Sequence, residues 1–347
     1  MKENIIEIDG SYGSGGGQVI RTALALSILT GKGFYIKNIR AKRKNPGLAP
    51  QHLTCVNTAA QICNAKVKGN LLGSKELFFL PKNIEFRNME INIGTAGSIS
   101  LLLQALMPSF VNIKRDIELH ITGGTDVKMA PSIDYINNVL LKLLSKLGYK
   151  ASLEIVKRGF YPRGGGKIIF KAEPMSLIKY EFTRRGMCKS VCGISIASKE
   201  LKKRQVSERQ AKKVKATLRE KLREFEKIPI EIKLSYVESL NSGSSITLWC
   251  ETDYSIIGAD SIGERNKSSE EVAQEAALSL IKDIDKKAVV DVYASDQLLP
   301  YIALTYGCLK TSVISEHTRT NAFIIERFLP VKFKINDKEA IIKVTKK

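Results

Sequence analysis

The chain has 347 residues, with 55 Lys+Arg against 35 Asp+Glu for a formal charge of +20, and 44% of it is hydrophobic. At ~150 residues per domain this length suggests about two domains, and the apolar content excludes an intrinsically disordered chain. No apolar run approaches the ~18 residues that cross a bilayer, and the N-terminal segment lacks the apolar stretch of a signal peptide, so a soluble, cytoplasmic protein without a membrane partner is expected.

The six cysteines, Cys55, Cys63, Cys188, Cys192, Cys250 and Cys308, form no CxxC pair and have no nearby histidine. They read as reduced small hydrophobes, which argues against zinc and a disulfide framework. The surplus of positive charge points to a polyanionic partner, with nucleic acid ahead of membrane. An ordinary Lys-rich enzyme surface is the competing reading.

In chain order, Glu7-Ile8-Asp9-Gly10 reads as a strand entering a glycine cluster at 13–17, followed by an apolar helix over 19–29. A helix over 50–65 opens with Pro50, a good first-turn residue, and Lys66-Val67-Lys68 reads as a strand. The pattern then recurs. Glu90-Ile91-Asn92-Ile93-Gly94 leads through Thr95-Ala96-Gly97-Ser98 into a helix over 99–107. A helix over 131–147 starts at Pro131 and closes on Gly148 in a capping position, and 150–156 reads as a strand.

Between 181 and 284 the texture changes. A strand over 191–197 precedes a highly charged helix over 205–226, then strands over 230–236 and 246–251. A helix over 269–281 follows, with Ser268 or Ser269 as N-cap. A third, shorter version of the first pattern closes the chain: a strand over 289–293, helices over 298–304 and 320–328, and strands over 331–335 and 340–344. The fold class is therefore α/β (α+β). Three similar units form a large domain, 1–180 plus 286–347, into which a small α/β domain, 181–285, is inserted.

The glycine cluster lies where backbone N–H groups approach an anion closely and a helix N-terminus favours negative charge. It is not a P-loop, and Gln18 stands where GxGxxG would need its last glycine. A tight structural turn is the alternative; Arg21, one turn into the helix, favours the anion. Lys37, Arg40, Lys42, Arg43 and Lys44 crowd the segment before Asn45-Pro46-Gly47, beside Gln51 and His52. Arginine forks bind phosphate bidentately, so phosphate binding is favoured over a solvated loop. The stretch 199–227 is also basic, but its interleaved glutamates fall at i,i+3 and i,i+4 spacing, as in a salt-bridged solvated face.

Only three histidines exist. His120 lies in an alternating run, 117–121, and reads as structural. His52 stands in a first helical turn beside the basic loop. His317 sits between a strand and a helix, where geometry is fixed and the edge is open. It is a candidate catalytic residue, against the alternative of a helix-start histidine with a satisfied ring. There is no Gly-x-Ser-x-Gly elbow and no HExxH.

Taken together these segments resemble the RNA 3′-terminal phosphate cyclase family over essentially the whole chain. The resemblance is carried by Asp9-Gly10, Gly15-Gly16-Gly17-Gln18-Val19-Ile20-Arg21, Ile39-Arg40-Ala41-Lys42-Arg43, Pro46-Gly47-Leu48 and Gln51-His52-Leu53. It continues through Gly94-Thr95-Ala96-Gly97-Ser98, Leu103-Gln104, Gly123-Gly124-Thr125-Asp126, Ala130-Pro131 and Gly159-Phe160-Tyr161-Pro162-Arg163-Gly164-Gly165-Gly166. Ser295-Asp296-Gln297-Leu298, His317 with Thr320-Asn321, and Glu326-Arg327-Phe328-Leu329-Pro330 complete it.

The resemblance implies three βαβαββ-like units with one inserted domain. It implies an ATP-dependent reaction in which a histidine takes AMP from ATP and passes it to an RNA 3′-phosphate. The neighbouring 2′-hydroxyl then closes a 2′,3′-cyclic phosphate. Splitting one difficult displacement into two is the usual benefit of covalent catalysis, and ring closure within one ribose gains from proximity. By the same match the nucleophile is His317, and Gln104, Pro131, Tyr293, Ala294, Ser295, Asp296 and Gln297 contact ATP. Arg21, Arg40, Arg43, Gln51 and His52 hold the RNA or nucleotide phosphates.

A divalent cation, Mg²⁺ or Mn²⁺, is implied. Bacterial members carry a Glu in the glycine cluster where this chain has Ser14, so the metal's ligands are left unassigned. RNA with a 3′-terminal phosphate is the implied partner, and a homo-oligomer is allowed. The alternative is a non-catalytic RNA-processing or ribosome-assembly relative; eukaryotic paralogues of that kind lack the histidine, so His317 argues for the enzyme. A small-molecule transferase on a similar repeated scaffold is a third reading, opposed by the charge and by Ser295-Asp296-Gln297.

Overall fold

The computed structural model describes residues 5–222 and 227–347. Strands β1 (Ile6–Asp9), β2 (Phe34–Lys37), β3 (Lys66–Lys68) and β4 (Leu77–Leu80) form a sheet in the order β1-β2-β4-β3. The first pair is parallel and the others antiparallel. Strands β5 (Met89–Asn92), β6 (Ile117–Gly123), β7 (Ala151–Lys157) and β8 (Gly166–Ala172) repeat the arrangement as β5-β6-β8-β7.

After β9 (Glu181–Phe182) come β10 (Cys188–Ser198), β11 (Ile230–Val237), β12 (Ser244–Thr252) and β13 (Ile256–Ile262), which form their own sheet, β11-β10-β12-β13. The last sheet contains β14 (Cys308–Lys310), β15 (Val331–Asn336) and β16 (Ile341–Lys346), and its fourth member is β9. β9 pairs parallel with β14, and the order β9-β14-β16-β15 copies the first two units.

The first strand of the third unit thus lies before the insertion, where 289–293 was expected. That segment is no strand. Asp291 accepts the Ala294 N–H at 2.9 Å and caps a helix, Val292–Thr305, which starts earlier than the expected 298. An N-cap carboxylate satisfies an otherwise orphaned N–H and complements the helix dipole. We propose on this basis that the inserted domain spans 183–285 rather than 181–285.

Helix Gly17–Thr30 is the hub of the large body: Val19, Ile20, Ala23, Leu24, Leu26 and Ile28 are all fully buried. It packs against helices Pro50–Cys63, Ile99–Leu106 and Glu316–Phe328. Burying such side chains contributes ~1.5–3 kcal/mol each against exposure, so its glycine-rich N-terminus is held firmly where the units meet.

The insert has a separate apolar cluster. Val214 and Leu218 from helix Val206–Lys221 meet Ala273, Ala277 and Leu280 from helix Ser269–Asp285 over Val191, Ile246 and Leu248 of the sheet. The charged helix expected over 205–226 ends at Lys221, and 223–226 lie outside the described residues. Some of its charges pair across to neighbouring elements rather than along the helix. Arg209 grips Glu270 of the neighbouring helix at 2.6 and 2.8 Å, and Glu208 accepts from the Tyr236 hydroxyl at 2.5 Å. Among the described residues no helix is long and apolar enough to cross a membrane.

Candidate active site

His317 stands in the first turn of helix Glu316–Phe328, whose N-cap Ser315 accepts the Thr318 N–H at 3.0 Å. A proline fixes this helix from a distance. Pro300 lies inside helix Val292–Thr305 and has no N–H, so the carbonyl four residues earlier, that of Asp296, loses its intrahelical donor. Asn321 Nδ2 donates to that carbonyl at 3.0 Å, and Asn321 Oδ1 accepts from Thr22 at 2.5 Å. Three helices are thereby tied together one turn beyond His317. Tyr12 adds a fourth contact by stacking on Phe323, with ring centroids 3.8 Å apart.

Gln18, on the first turn of the hub helix, decides the protonation of His317. Its Nε2 donates to Asp296 Oδ2 at 3.1 Å and to the His317 carbonyl at 3.3 Å. With both amide hydrogens directed at acceptors, Gln18 Oε1 is the atom facing His317 Nδ1, with which it forms a short contact. Nδ1 must then carry the hydrogen, leaving the lone pair on Nε2. Desolvation, and then repulsion from Arg21 and Arg43, lower the His317 pKa below its ordinary value. An exposed, neutral imidazole with a free Nε2 is a nucleophile.

His52 is prepared in the opposite sense. It is 5% exposed, and its pKa is pushed down to about 3 by burial, then by Arg21 and Arg40. Its Nδ1 accepts the Ala49 N–H at 3.3 Å, so the hydrogen sits on Nε2. That N–H is aimed at the glycine turn: a Cβ built on Gly17 would lie 1.9 Å from His52 Nε2 and 3.0 Å from Arg21 Nη1. One built on Gly16 would lie 2.8 Å from Arg43 Nη2. Glycine is required here because only bare backbone leaves room for three donors to converge. The arrangement can bind a multiply charged anion beside a nucleophilic imidazole.

The chain matches the family described as RNA 3′-terminal phosphate cyclase over residues 12–335. It is 44% identical to the RNA 3′-terminal phosphate cyclase of Pyrococcus abyssi, over 96% of this chain and 95% of the relative. It is 43% identical to that of Methanococcoides burtonii, over 98% and 99%, and 44% identical to that of Pyrobaculum aerophilum, over 96% and 95%. The chain belongs to the RNA 3′-terminal phosphate cyclase family.

The residues expected from that family fall into three groups here. His317, Arg21, Arg43, His52 and Asp296 converge as described. Gln104, Asp296 and Gln297 line a cavity of about 40 Å³ with Gln18 and Arg21; this is space for water and does not enclose a nucleotide. Tyr293, 52% exposed, lies on its helix outside that cavity; desolvation and then the nearby Asp260 raise its pKa, and Asp260 also accepts the N–H of Ser132, next to Pro131, at 2.5 Å.

Four expected residues serve the scaffold. Ala294 is fully buried, and Ser295, equally buried, donates to the Val292 carbonyl at 2.8 Å. Gln51 Oε1 accepts the Ser98 N–H at 3.2 Å. Arg40 spends Nη1 on the Gly47 carbonyl at 2.7 Å, shaping the basic loop.

Two buried atoms near the glycine turn and cavity, Ser14 Oγ and Gln297 Oε1, have no hydrogen-bond partner among the described residues. An orphaned buried oxygen costs ~1–3 kcal/mol, and a polar ligand or water would relieve it. A protein-built metal cage is another matter: among the described residues no group of three His, Cys, Asp or Glu side chains is placed to hold an ion. The described residues fit a phosphate-bearing ligand and build no all-protein cage for a divalent cation.

Sequence reasoning assigned no role to Gln18, although its departure from GxGxxG drew notice. It also missed a buried ionic knot. Arg158 binds both oxygens of Asp134 at 2.6 and 2.8 Å and Asp126 at 3.3 Å. Asp126 also accepts from Ser245 of the insert at 2.7 Å, so the knot joins the second unit to the inserted domain.

Proposed function

We propose that the protein uses ATP to convert an RNA 3′-terminal phosphate into a 2′,3′-cyclic phosphate through a covalent His317–AMP. The observation that carries this is the contact of Gln18 Oε1 with His317 Nδ1, from which the tautomer with its lone pair on Nε2 is assigned. The Nε2 lone pair attacks the α-phosphorus of ATP, the bond to the bridging oxygen breaks, and pyrophosphate leaves. An oxygen of the RNA 3′-phosphate then attacks the same phosphorus and returns the electron pair to Nε2. The 2′-hydroxyl oxygen attacks the activated 3′-phosphorus, its proton passes to solvent, and AMP departs.

Arg21, Arg43 and the His52 N–H are donors for the charge that develops on these phosphates, and fixed donors in a partly dry site are effective at that task. ATP would lie across the mouth of the cavity, with Tyr293 and Pro131 at its flank. No step is assigned to a metal held by the protein. The test is incubation with α-³²P-ATP and Mg²⁺ or Mn²⁺. Acid-labile label should appear on the wild-type chain and be absent from His317→Ala. Wild type that takes no label with either metal would overturn the reading.

A further inference from the structure

We propose that the RNA strand leaves the phosphate cluster across the loop 159–166 and continues into the cleft between the second unit and the insert. This rests on the function proposed above. The loop is held rigidly. Phe160 is 2% exposed and lies under Gly243 of the insert, where a Cβ would come within 2.3 Å of its ring. Gly164 N–H donates back to the Phe160 carbonyl at 2.9 Å, and Thr125 N–H donates to Gly159 at 2.9 Å.

The tip of this fixed loop points outward. Tyr161 is 75% exposed, and Arg163 is exposed with no ion pair among those of the described residues. An aromatic ring and a guanidinium on a rigid turn form a platform for a base and its phosphate.

Contacts join this platform to both ends of the track. On one side the turn at 95–98 is wedged between Gln51, beside His52, and the loop: a Cβ on Gly164 would lie 2.9 Å from Ala96 Cα. On the other side Arg163 N–H donates to Asn241 Oδ1 at 3.0 Å, and Gly165 faces Leu240. Those two residues belong to the link between β11 and β12, which leads to a cleft of about 810 Å³.

Lys157, Lys167 and Lys233 line the cleft over Ile155, Ile194 and Ile196. Its other charges are already matched, Arg158 by Asp134 and Glu238 by Lys199 at 2.5 Å. The three lysines are therefore left for an anionic occupant. A peptide strand fits less well. β7 and β11 are edges, but β7 breaks register between Ile155 and Lys157, and bulges and lysines are what blunt an edge against strand addition.

The test measures binding without ATP, by fluorescence anisotropy of 5′-labelled RNA 3′-phosphates of two and about 12 nucleotides, the latter within the usual range of strand-binding sites. Wild type should bind the longer RNA more tightly. Tyr161→Ala should weaken both by about 5- to 150-fold, the worth of one stacked base, and Tyr161→Phe should restore them. The triple variant Lys157→Gln, Lys167→Gln, Lys233→Gln should weaken the longer RNA alone and flatten its log–log salt slope by about 2.

Label transfer from α-³²P-ATP, read in parallel, should be unchanged in every variant, which separates loss of the track from loss of folding. Failure of wild type to take label counts against the function while the binding readout still judges the track. Equal wild-type affinity for both lengths overturns the track. So does a triple variant within twofold of wild type and with its salt slope, an outcome that leaves a protein partner as the cleft's occupant.

Discussion

Replacing Gln18 by leucine tests the reasoning about His317 most directly. The side chain is similar in bulk, but it removes the acceptor facing Nδ1 and the two N–H groups given to Asp296 and the His317 carbonyl. Nothing then selects the tautomer with its lone pair on Nε2. Losing a hydrogen bond to a buried group costs ~1–3 kcal/mol, and each 1.36 kcal/mol is tenfold in rate. Self-adenylylation should slow by about 5- to 150-fold, with ~10⁴ the extreme seen when a catalytic imidazole takes the wrong tautomer.

Single-turnover labelling with α-³²P-ATP, from about pH 5 to pH 9, reads this step alone. Gln18→Glu is the informative companion. It keeps an acceptor for Nδ1–H and should be faster than the leucine variant. Its carboxylate also favours imidazolium, so activity should require a higher pH than in wild type. A leucine variant within twofold of wild type, with the same pH profile, would refute the tautomer argument.

Asp296 gives a prediction in pH. Burial, opposed by Arg21 and Gln18, pushes its carboxyl from 3.8 up to about 7. Between those values the folded chain holds a proton that the unfolded chain has released, so stability falls as pH rises through that window. Asp296→Asn should therefore gain thermal stability over wild type as pH rises from about 5 to 8, with an upper bound of ~3 kcal/mol over that range. A Tm difference independent of pH would count against this. Arg158→Leu leaves the buried carboxylates of Asp134 and Asp126 unpaired, which costs ~3–5 kcal/mol. A urea midpoint corresponding to less than ~1 kcal/mol would show that the knot relaxes or takes up protons instead.

Much of the fold was legible because periodicity reports elements directly: a buried helix face and an alternating strand leave their pattern in the chain. The recurrence of strand, glycine turn and helix at 7–29 and 90–107 exposed the repeat. What failed was local brevity and distant pairing. β9 is two residues long, too short for any period, and Val289-Val290 mimicked the strand it replaced. The arginines, His52 and His317 could be singled out because charge and rare residue types are visible one position at a time. Gln18 could not, since its role consists of joining Asp296 and His317 from 278 and 299 positions away.

The repeat also accounts for where the candidate site lies. Each unit has a junction between its first strand and first helix. In the first unit that junction is the bare glycine turn closed over by Arg43 and His52. In the second it is the turn at 95–98, braced between Gln51 and the loop at 159–166. In the third the junction holds the whole inserted domain, between β9 and helix Val292–Thr305. One geometry thus serves three ends. The hub helix, which carries the proposed anion-binding turn, meets the second helices of both its own unit, bearing His52, and the third, bearing His317. The proposed nucleophile and the proposed phosphate grip come from different units, so neither could have been read from a single repeat.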